Sequence, residues 1–316
     1  MVISKYHNSE DGIYLDRTLT DVVKLLSCMM VAIHHYANYA ISTGYSGNII
    51  LRLFSTQGGY FGVALFFFLS GYGLMKSESK HHLGFKAFVV MRFGKVFLPV
   101  LLVTLLWLPI YLFVVTGGGT NDNWSHLLWW MGDDVMWFVK TLALQYLFFY
   151  IYAAVRQSKP KHRLSLLVII TVISFFVSYF VQIRHAISLP LFYLGILIVD
   201  FEKPCRKALS KVLLTVCLMV AMVGICYWGR SNMMTFHAMF NYIAILPVLL
   251  FFANYKVSFE RIPSWIGGSS FDVYLVHNKG LMFLRHSMGI VPLWLFVTVT
   301  IATTASFYGL RKLLRL

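Results

Sequence analysis

Residues 24–35 read Lys24-Leu-Leu-Ser-Cys-Met-Met-Val-Ala-Ile-His34-His35, a lysine and two histidines inside the first long apolar segment of the chain. On an α-helix, at about 100° per residue, the eleven positions from Lys24 to His35 make three turns and about 20° more. The two side chains therefore share one face, about 16 Å apart along the axis. Charged and titratable side chains are expensive inside a bilayer; they face a protein interior or a wet cavity and mark chemistry or transport. The spacing predicts a membrane helix with a cation near one membrane face and a histidine toward the middle, a reaction centre reached from that face.

The rest of the chain agrees with a membrane setting. Of its 316 residues 59% are hydrophobic and only 12% charged, and the mean hydropathy is +0.71, more apolar surface than a soluble domain of this length needs. A span takes about 20 apolar residues. Ten candidate spans result: Leu19–Ile41, Gly58–Met75, Val96–Val115, Trp137–Val155, Leu164–Gln182, Ile187–Val199, Val212–Trp228, Phe236–Ala253, Ile266–Arg285 and Val291–Leu310. The sixth is short and holds Pro190, so a tilted, broken or re-entrant segment is expected there. The residues before the first span (Tyr6-His-Asn-Ser-Glu-Asp-Gly) do not read as a cleavable signal. Lysine and arginine crowd alternate loops: Lys76 to Lys95, Arg156 to Arg163, Lys203 to Lys211, Lys256 to Arg261, and the tail Arg311 to Arg315. By the positive-inside rule these loops and both termini are cytoplasmic. The net charge of +15 is then a topology signal, spread over short loops rather than gathered into a nucleic-acid surface. The fold expected is all-α, a polytopic bundle of about ten transmembrane helices forming one domain, 1–316. Cys28, Cys205, Cys217 and Cys226 show neither a Cys-x-x-Cys pair nor metal-ligand spacing, which supports no disulfide framework and no metal site.

The candidate chemical groups follow from their types. His35 titrates near neutrality and suits proton transfer. His34, about 100° away on the helix, is either its orienting partner or simple packing. Lys24 either snorkels to the interface or meets an anionic substrate group; Asp21, three residues earlier, is placed to pair with it. In the second span, Phe66-Phe-Phe-Leu-Ser70-Gly71-Tyr72 offers a hydroxyl and a site of close helix approach. Arg92 and Lys95, at i and i+3 before Pro99, share a face that would suit phosphates or would simply obey the positive-inside rule. The ninth span carries Asp272, Tyr274, His277 and Lys279; Asp272 and Lys279 are spaced for an internal ion pair, and Tyr274 and His277 for one cavity wall. Trp137 and Lys140 stand at the outer end of the fourth span, where tryptophan is common and lysine is not.

Taken in order, these pieces resemble the integral-membrane acyltransferases of the acyltransferase-three family, bacterial enzymes that O-acylate extracytoplasmic sugars. The resemblance covers nearly the whole chain. It runs through Asp21, Lys24 and His35; Phe66-Phe67-Phe68-Leu69-Ser70-Gly71-Tyr72; Arg92-x-x-Lys95 before Pro99; Trp137-Phe138-Val139; Phe192-Tyr193-Leu194-Gly195; and Ser270-Phe271-Asp272-Val273-Tyr274-Leu275-Val276-His277. Lys24 and Lys95 stand where the family often has arginine, which keeps the charge but loses the bidentate fork.

The resemblance implies a multi-pass protein of the bacterial inner membrane. It moves an acyl group, expected to be acetyl, from cytoplasmic acyl-CoA to a hydroxyl of a surface polysaccharide or lipid-linked glycan, with acetyl-CoA as co-substrate and no permanently bound cofactor. Arg92, Lys95, Lys24 and Arg17 would meet the donor's phosphates. His35 would act as general base or as acyl carrier, and Ser70, Tyr274 or His277 would steady the oxyanion or orient His35. Trp137, Lys140 and the aromatic segment Trp124–Trp130 would meet the sugar. The main competing reading is a transporter or flippase for a lipid-linked glycan, with no acyl-transfer activity; a second is a membrane polysaccharide polymerase, for which a larger external loop than the one at about Thr116 to Met136 is expected. Nothing in the sequence sets an oligomeric state.

Overall fold

The computed structural model describes residues 2–5, 15–44, 49–80, 82–115, 136–180 and 188–200, short pieces between 244 and 259, residue 263, and residues 265–315. The expected span at 212–228, most of that at 236–253, the segment at 124–130, and Cys205, Cys217 and Cys226 lie outside the described residues.

Helix α1 is Arg17–Ser42. Asp16 caps it, its carboxylate accepting from the Leu19 N–H at 2.6 Å, the usual way to satisfy an orphan donor at a helix start. A short helix α2 (Ile49–Leu53) passes through a π-helical turn (Phe54–Gly58) into α3 (Gly59–Glu78). Then come α4 (Phe85–Ile110), α5 (Met136–Ser158), α6 (Arg163–Phe180), α7 (Leu189–Asp200), α8 (Trp265–Met288) and α9 (Leu293–Leu313). A small antiparallel ribbon pairs β1 (Val2–Lys5) with β2 (Tyr255–Ser258), an addition to the all-helical expectation. Its β-branched Val2, Ile3 and Val257 suit extended backbone.

Among the described residues, five stretches are long and apolar enough to cross a membrane: Ile49–Glu78, Phe85–Val114, Trp137–Ser158, Pro160–Ser178 and Leu293–Leu313. The 26 residues of α1 and the 24 of α8 extend about 39 and 36 Å, more than a hydrocarbon core of about 30 Å. What sets them apart is polarity, because they carry the polar groups of the site. Helix α4 begins eleven residues before the expected span at Val96, so Arg92 and Lys95 sit on the helix itself and not in a loop.

Neighbour contacts fix the directions. Gly267 at the start of α8 packs on Asp21 near the start of α1, and Tyr36 near the end of α1 donates to the Val291 carbonyl at 3.0 Å, so α1 and α8 run parallel. Helix α3 runs against α1, with Gly59 on His34, Gly62 on Ser27 and Gly73 beside Lys24. Helix α9 runs against α8, with Gly280 on Val299 and Gly268 on Tyr308. The twelve residues of α7 are all buried, as a helix apolar all round should be. It meets α3 through two glycines: a Cβ on Gly71 would strike the Phe192 carbonyl oxygen, and one on Gly195 would strike the Phe68 carbonyl oxygen. Small residues allow this close backbone approach. The opposite faces of α4, α6 and α9 leave Leu98, Leu101, Leu105, Val168, Ile169, Ile173, Trp294 and Ile301 exposed, apolar surface suited to lipid.

Candidate active site

Helix α1 carries polar groups at two levels, and each level lines a cavity. Near its start, Asp21 and Lys24 join Phe66 and Ser70 of α3, Arg92 and Lys95 of α4, Tyr146 of α5, and Ser270 and Phe271 of α8 around a space of about 280 Å³. Three cations thus converge on one cavity, from α1 and α4. Arg92 donates through Nη2 to Ser77 Oγ at 2.6 Å. Its Nε–H is buried and has no hydrogen-bond partner among the described residues, an orphan donor of the kind that calls for an anionic or polar ligand.

Three turns further along α1 lies the second cavity, of about 230 Å³, lined by His34, His35, Asn38, Tyr60, Trp137, Ser188 and Tyr274. The His35 ring lies 5.2 Å from that of His277, which comes from α8. His277 is fully buried and its Nδ1–H donates to the Val273 carbonyl at 3.0 Å. A carbonyl only accepts, so this bond assigns the proton to Nδ1. Nε2 is left buried with no hydrogen-bond partner among the described residues.

His34 is held by a chain of hydrogen bonds. Its Nδ1–H donates to the Phe54 carbonyl at 2.9 Å and its Nε2 accepts from Asn38 at 3.0 Å. Asn38 in turn accepts from Ser55 Oγ at 2.6 Å. Phe54 and Ser55 belong to the π-helical turn, a local device often found at functional sites. The His34 ring also packs on Gly59, where a Cβ would lie 2.5 Å from it, and meets the His35 ring edge-on at 5.5 Å. Both ring nitrogens are thus engaged with Phe54 and Asn38, and His34 meets His35 through the edge contact of the two rings.

The other expected residues divide. Tyr274, 5.9 Å ring to ring from His277, and Trp137 line the histidine cavity. Ser70 does not: it lines the cation cavity, eleven residues along α3 from the Gly59 that touches His34. At 1.5 Å per residue that is about 16 Å, beyond reach of His35. Arg17 does not line the cation cavity either, because the helix start leaves its side chain 96% exposed, 3.9 Å from Asp21. Lys140 is exposed and lines neither cavity. The ion pair expected between Asp272 and Lys279 is not formed: Asp272 accepts from Arg311 at 2.8 Å, and the same nitrogen also donates to the Gly268 carbonyl at 2.8 Å. The i, i+7 spacing puts Asp272 and Lys279 about 10 Å apart along α8, whereas α9 packs antiparallel beside it and delivers Arg311 directly. Lys279 instead lines a separate, largely apolar groove between α4, α8 and α9.

Several lining residues escaped the sequence reading: Asn38, Tyr60 and Ser188 in the histidine cavity, and Tyr146 in the cation cavity. Asn38 was within reach of inspection, since it sits one helical turn after His34 on the same face.

A family model described as an acyltransferase domain matches residues 20–312, nearly the whole chain. No curated protein and no solved structure matches it.

Proposed function

The chain belongs to the acyltransferase family, and from that premise we propose that it is a membrane O-acyltransferase that takes an acetyl group from cytoplasmic acetyl-CoA and gives it to a hydroxyl of an extracytoplasmic or lipid-linked carbohydrate. The observation that carries this reading is the pairing of two cavities along α1, one lined by Lys24, Arg92 and Lys95, the other by His34 and His35. Cations suit the phosphates of coenzyme A, and the buried Arg92 Nε–H offers one further donor to them. The separation of about 16 Å along the helix suits a donor whose charged end and thioester lie far apart.

In this reading the acceptor enters the histidine cavity beside Trp137, where an aromatic face suits a sugar ring. His35 takes the proton of the acceptor hydroxyl as its oxygen attacks the thioester carbon. The carbon–sulfur bond breaks, the sulfur leaves as thiolate, and the proton passes from His35 to it. Tyr274 donates to the developing oxyanion. His277 shares the charge that builds on His35 through its buried Nε2, and His34 fixes the ring's approach. Membership of an acyltransferase family favours this over the flippase reading. In this reading the membrane is a bacterial inner membrane, and the positive-inside rule supports a cytoplasmic position for the cation cavity.

The test is transfer from radiolabelled acetyl-CoA into cell-surface glycan, comparing the native chain with His35→Ala at equal membrane levels. Label found only with the native chain is the expected result. Label absent from both, together with no binding of acetyl-CoA to the purified protein, sinks the proposal.

A further inference from the structure

The two cavities share no lining residue, and aromatic rings stand between them. Phe138 of α5 is 1% exposed. Its ring lies 5.0 Å from that of Phe66, which lines the cation cavity, and 4.9 Å from that of Tyr274, which lines the histidine cavity. Phe271, also on the cation side, stacks on Tyr274 at 6.3 Å with the rings nearly parallel. Phe66, Phe138, Phe271 and Tyr274 thus form an aromatic wall one to two rings thick. Phe138 is its middle, since it alone among them lines neither cavity and touches a lining ring on each side.

We propose that Phe138 is a specificity-determining residue: its ring partitions the cation cavity from the histidine cavity, and so keeps the donor's thioester away from His35, and from the water that enters with the acceptor, until the donor's arm displaces the ring. The inference rests on the acyl-transfer reading. The competing step is ordinary hydrolysis. Water's oxygen bonds to the acyl carbon, the carbon–sulfur bond breaks, and the sulfur leaves as the thiol with a proton from that water, giving the free acid. His35 is a base for a sugar hydroxyl and would equally be one for water. Admission of the donor's arm to the histidine cavity, not base strength, therefore decides the outcome. When the donor's arm passes the wall, the Phe138 ring turns aside and the arm takes its place as the seal.

The experiment uses the full chain in inside-out membrane vesicles, with Cys28, Cys205, Cys217 and Cys226 replaced by alanine and a reporter cysteine placed by Tyr60→Cys in the histidine cavity. Sulfonatoethyl methanethiosulfonate, an impermeant anionic thiol reagent, is added to the exposed cytoplasmic face. With Phe138 in place the reporter should be modified at the leak rate of the vesicles. With Phe138→Ala modification should be at least tenfold faster, while Phe138→Met, which refills the space, should stay near the leak rate. Removing a buried ring can unfold a chain, so Phe138→Val, which leaves a smaller gap in the same place, is the second variant, with modification expected between the rates of Phe138→Met and Phe138→Ala. In parallel, hydrolysis of acetyl-CoA relative to transfer should rise with Phe138→Ala. A reporter modified equally fast with Phe138 and with alanine, in variants that stay folded, overturns the partition. Faster modification with transfer still measured and hydrolysis unchanged overturns the role in specificity. Faster modification with neither transfer nor hydrolysis in any variant shows that the wall exists and that the acyl-transfer reading beneath it fails.

Discussion

His34 and His35 are adjacent in sequence and have different surroundings. His35 faces His277 across the cavity, while His34 spends both ring nitrogens on Phe54 and Asn38. Their substitutions should therefore differ. Loss of a general base costs about 10²- to 10⁴-fold, so His35→Ala should reduce acyl transfer by at least 100-fold. His34→Ala removes two neutral hydrogen bonds worth roughly 0.5–1.5 kcal/mol each, so kcat should fall about 10-fold with the donor KM unchanged. Arg92→Ala should do the reverse. A hydrogen bond to a charged group is worth about 1.5–3 kcal/mol, so the acetyl-CoA KM should rise by about 10- to 100-fold with kcat nearly retained. Steady-state kinetics on membranes with equal protein separates the three. At this scale the site was legible where the signal was periodic: the Lys24 to His35 spacing placed one residue in each cavity. It was not legible for Ser188, because nothing local marks a residue that long-range packing brings to a wall.

Helices α3 and α7 meet backbone to backbone, and this contact has no slack. A methyl on Gly71 or Gly195 would strike a carbonyl oxygen of the facing helix, where no side chain can move aside. Overpacking of this kind costs about 1–3 kcal/mol or more. Gly71→Ala and Gly195→Ala should each lower the unfolding temperature of the detergent-solubilised protein by several degrees. Gly309→Ala is the control: in α9 a Cβ there meets nothing within 4 Å, and alanine is the better helix former by about 1 kcal/mol, so stability should hold or rise. Equal losses at all three positions would show that the interlock is not what these glycines provide. The segment Ser70-Gly71 shows how a motif divides. The sequence offered a packing glycine and a hydroxyl, and the fold packs Gly71 against α7 and sets Ser70 on the wall of the cation cavity, away from His35. The π-helical turn that holds His34 had no such signature, since Phe54-Ser-Thr-Gln-Gly58 carries no proline or other mark of an altered hydrogen-bond register.

Across the whole molecule, the starts of α1, α4 and α8 and the ends of α3 and α9 gather at the cation-cavity end, while the end of α1 and the start of α9 lie at the histidine end. Cysteines introduced at Ser79 and Lys312 should therefore react from one side of the membrane, and those at Thr43 and Ile290 from the other. The alternation of basic loops already suggested this arrangement; what it could not supply was the partner of Asp272, because a charge's nearest neighbour in three dimensions need not lie on its own helix. The side chain of Asp272 is fully buried and that of Arg311 is 13% exposed, so this pair fastens the last helix to the one that carries His277. Removing one partner of a buried pair leaves an uncompensated charge and costs about 3–5 kcal/mol, whereas replacing both with apolar residues is often neutral or stabilising. Arg311→Ala should lower the unfolding temperature strongly. Asp272→Leu combined with Arg311→Met should recover most of that loss, because the unpaired carboxylate is what destabilises the single variant. If the double variant is as unstable as the single, the bond from Arg311 to the Gly268 carbonyl would be the contact that fixes α9, and the ion pair a bystander to it.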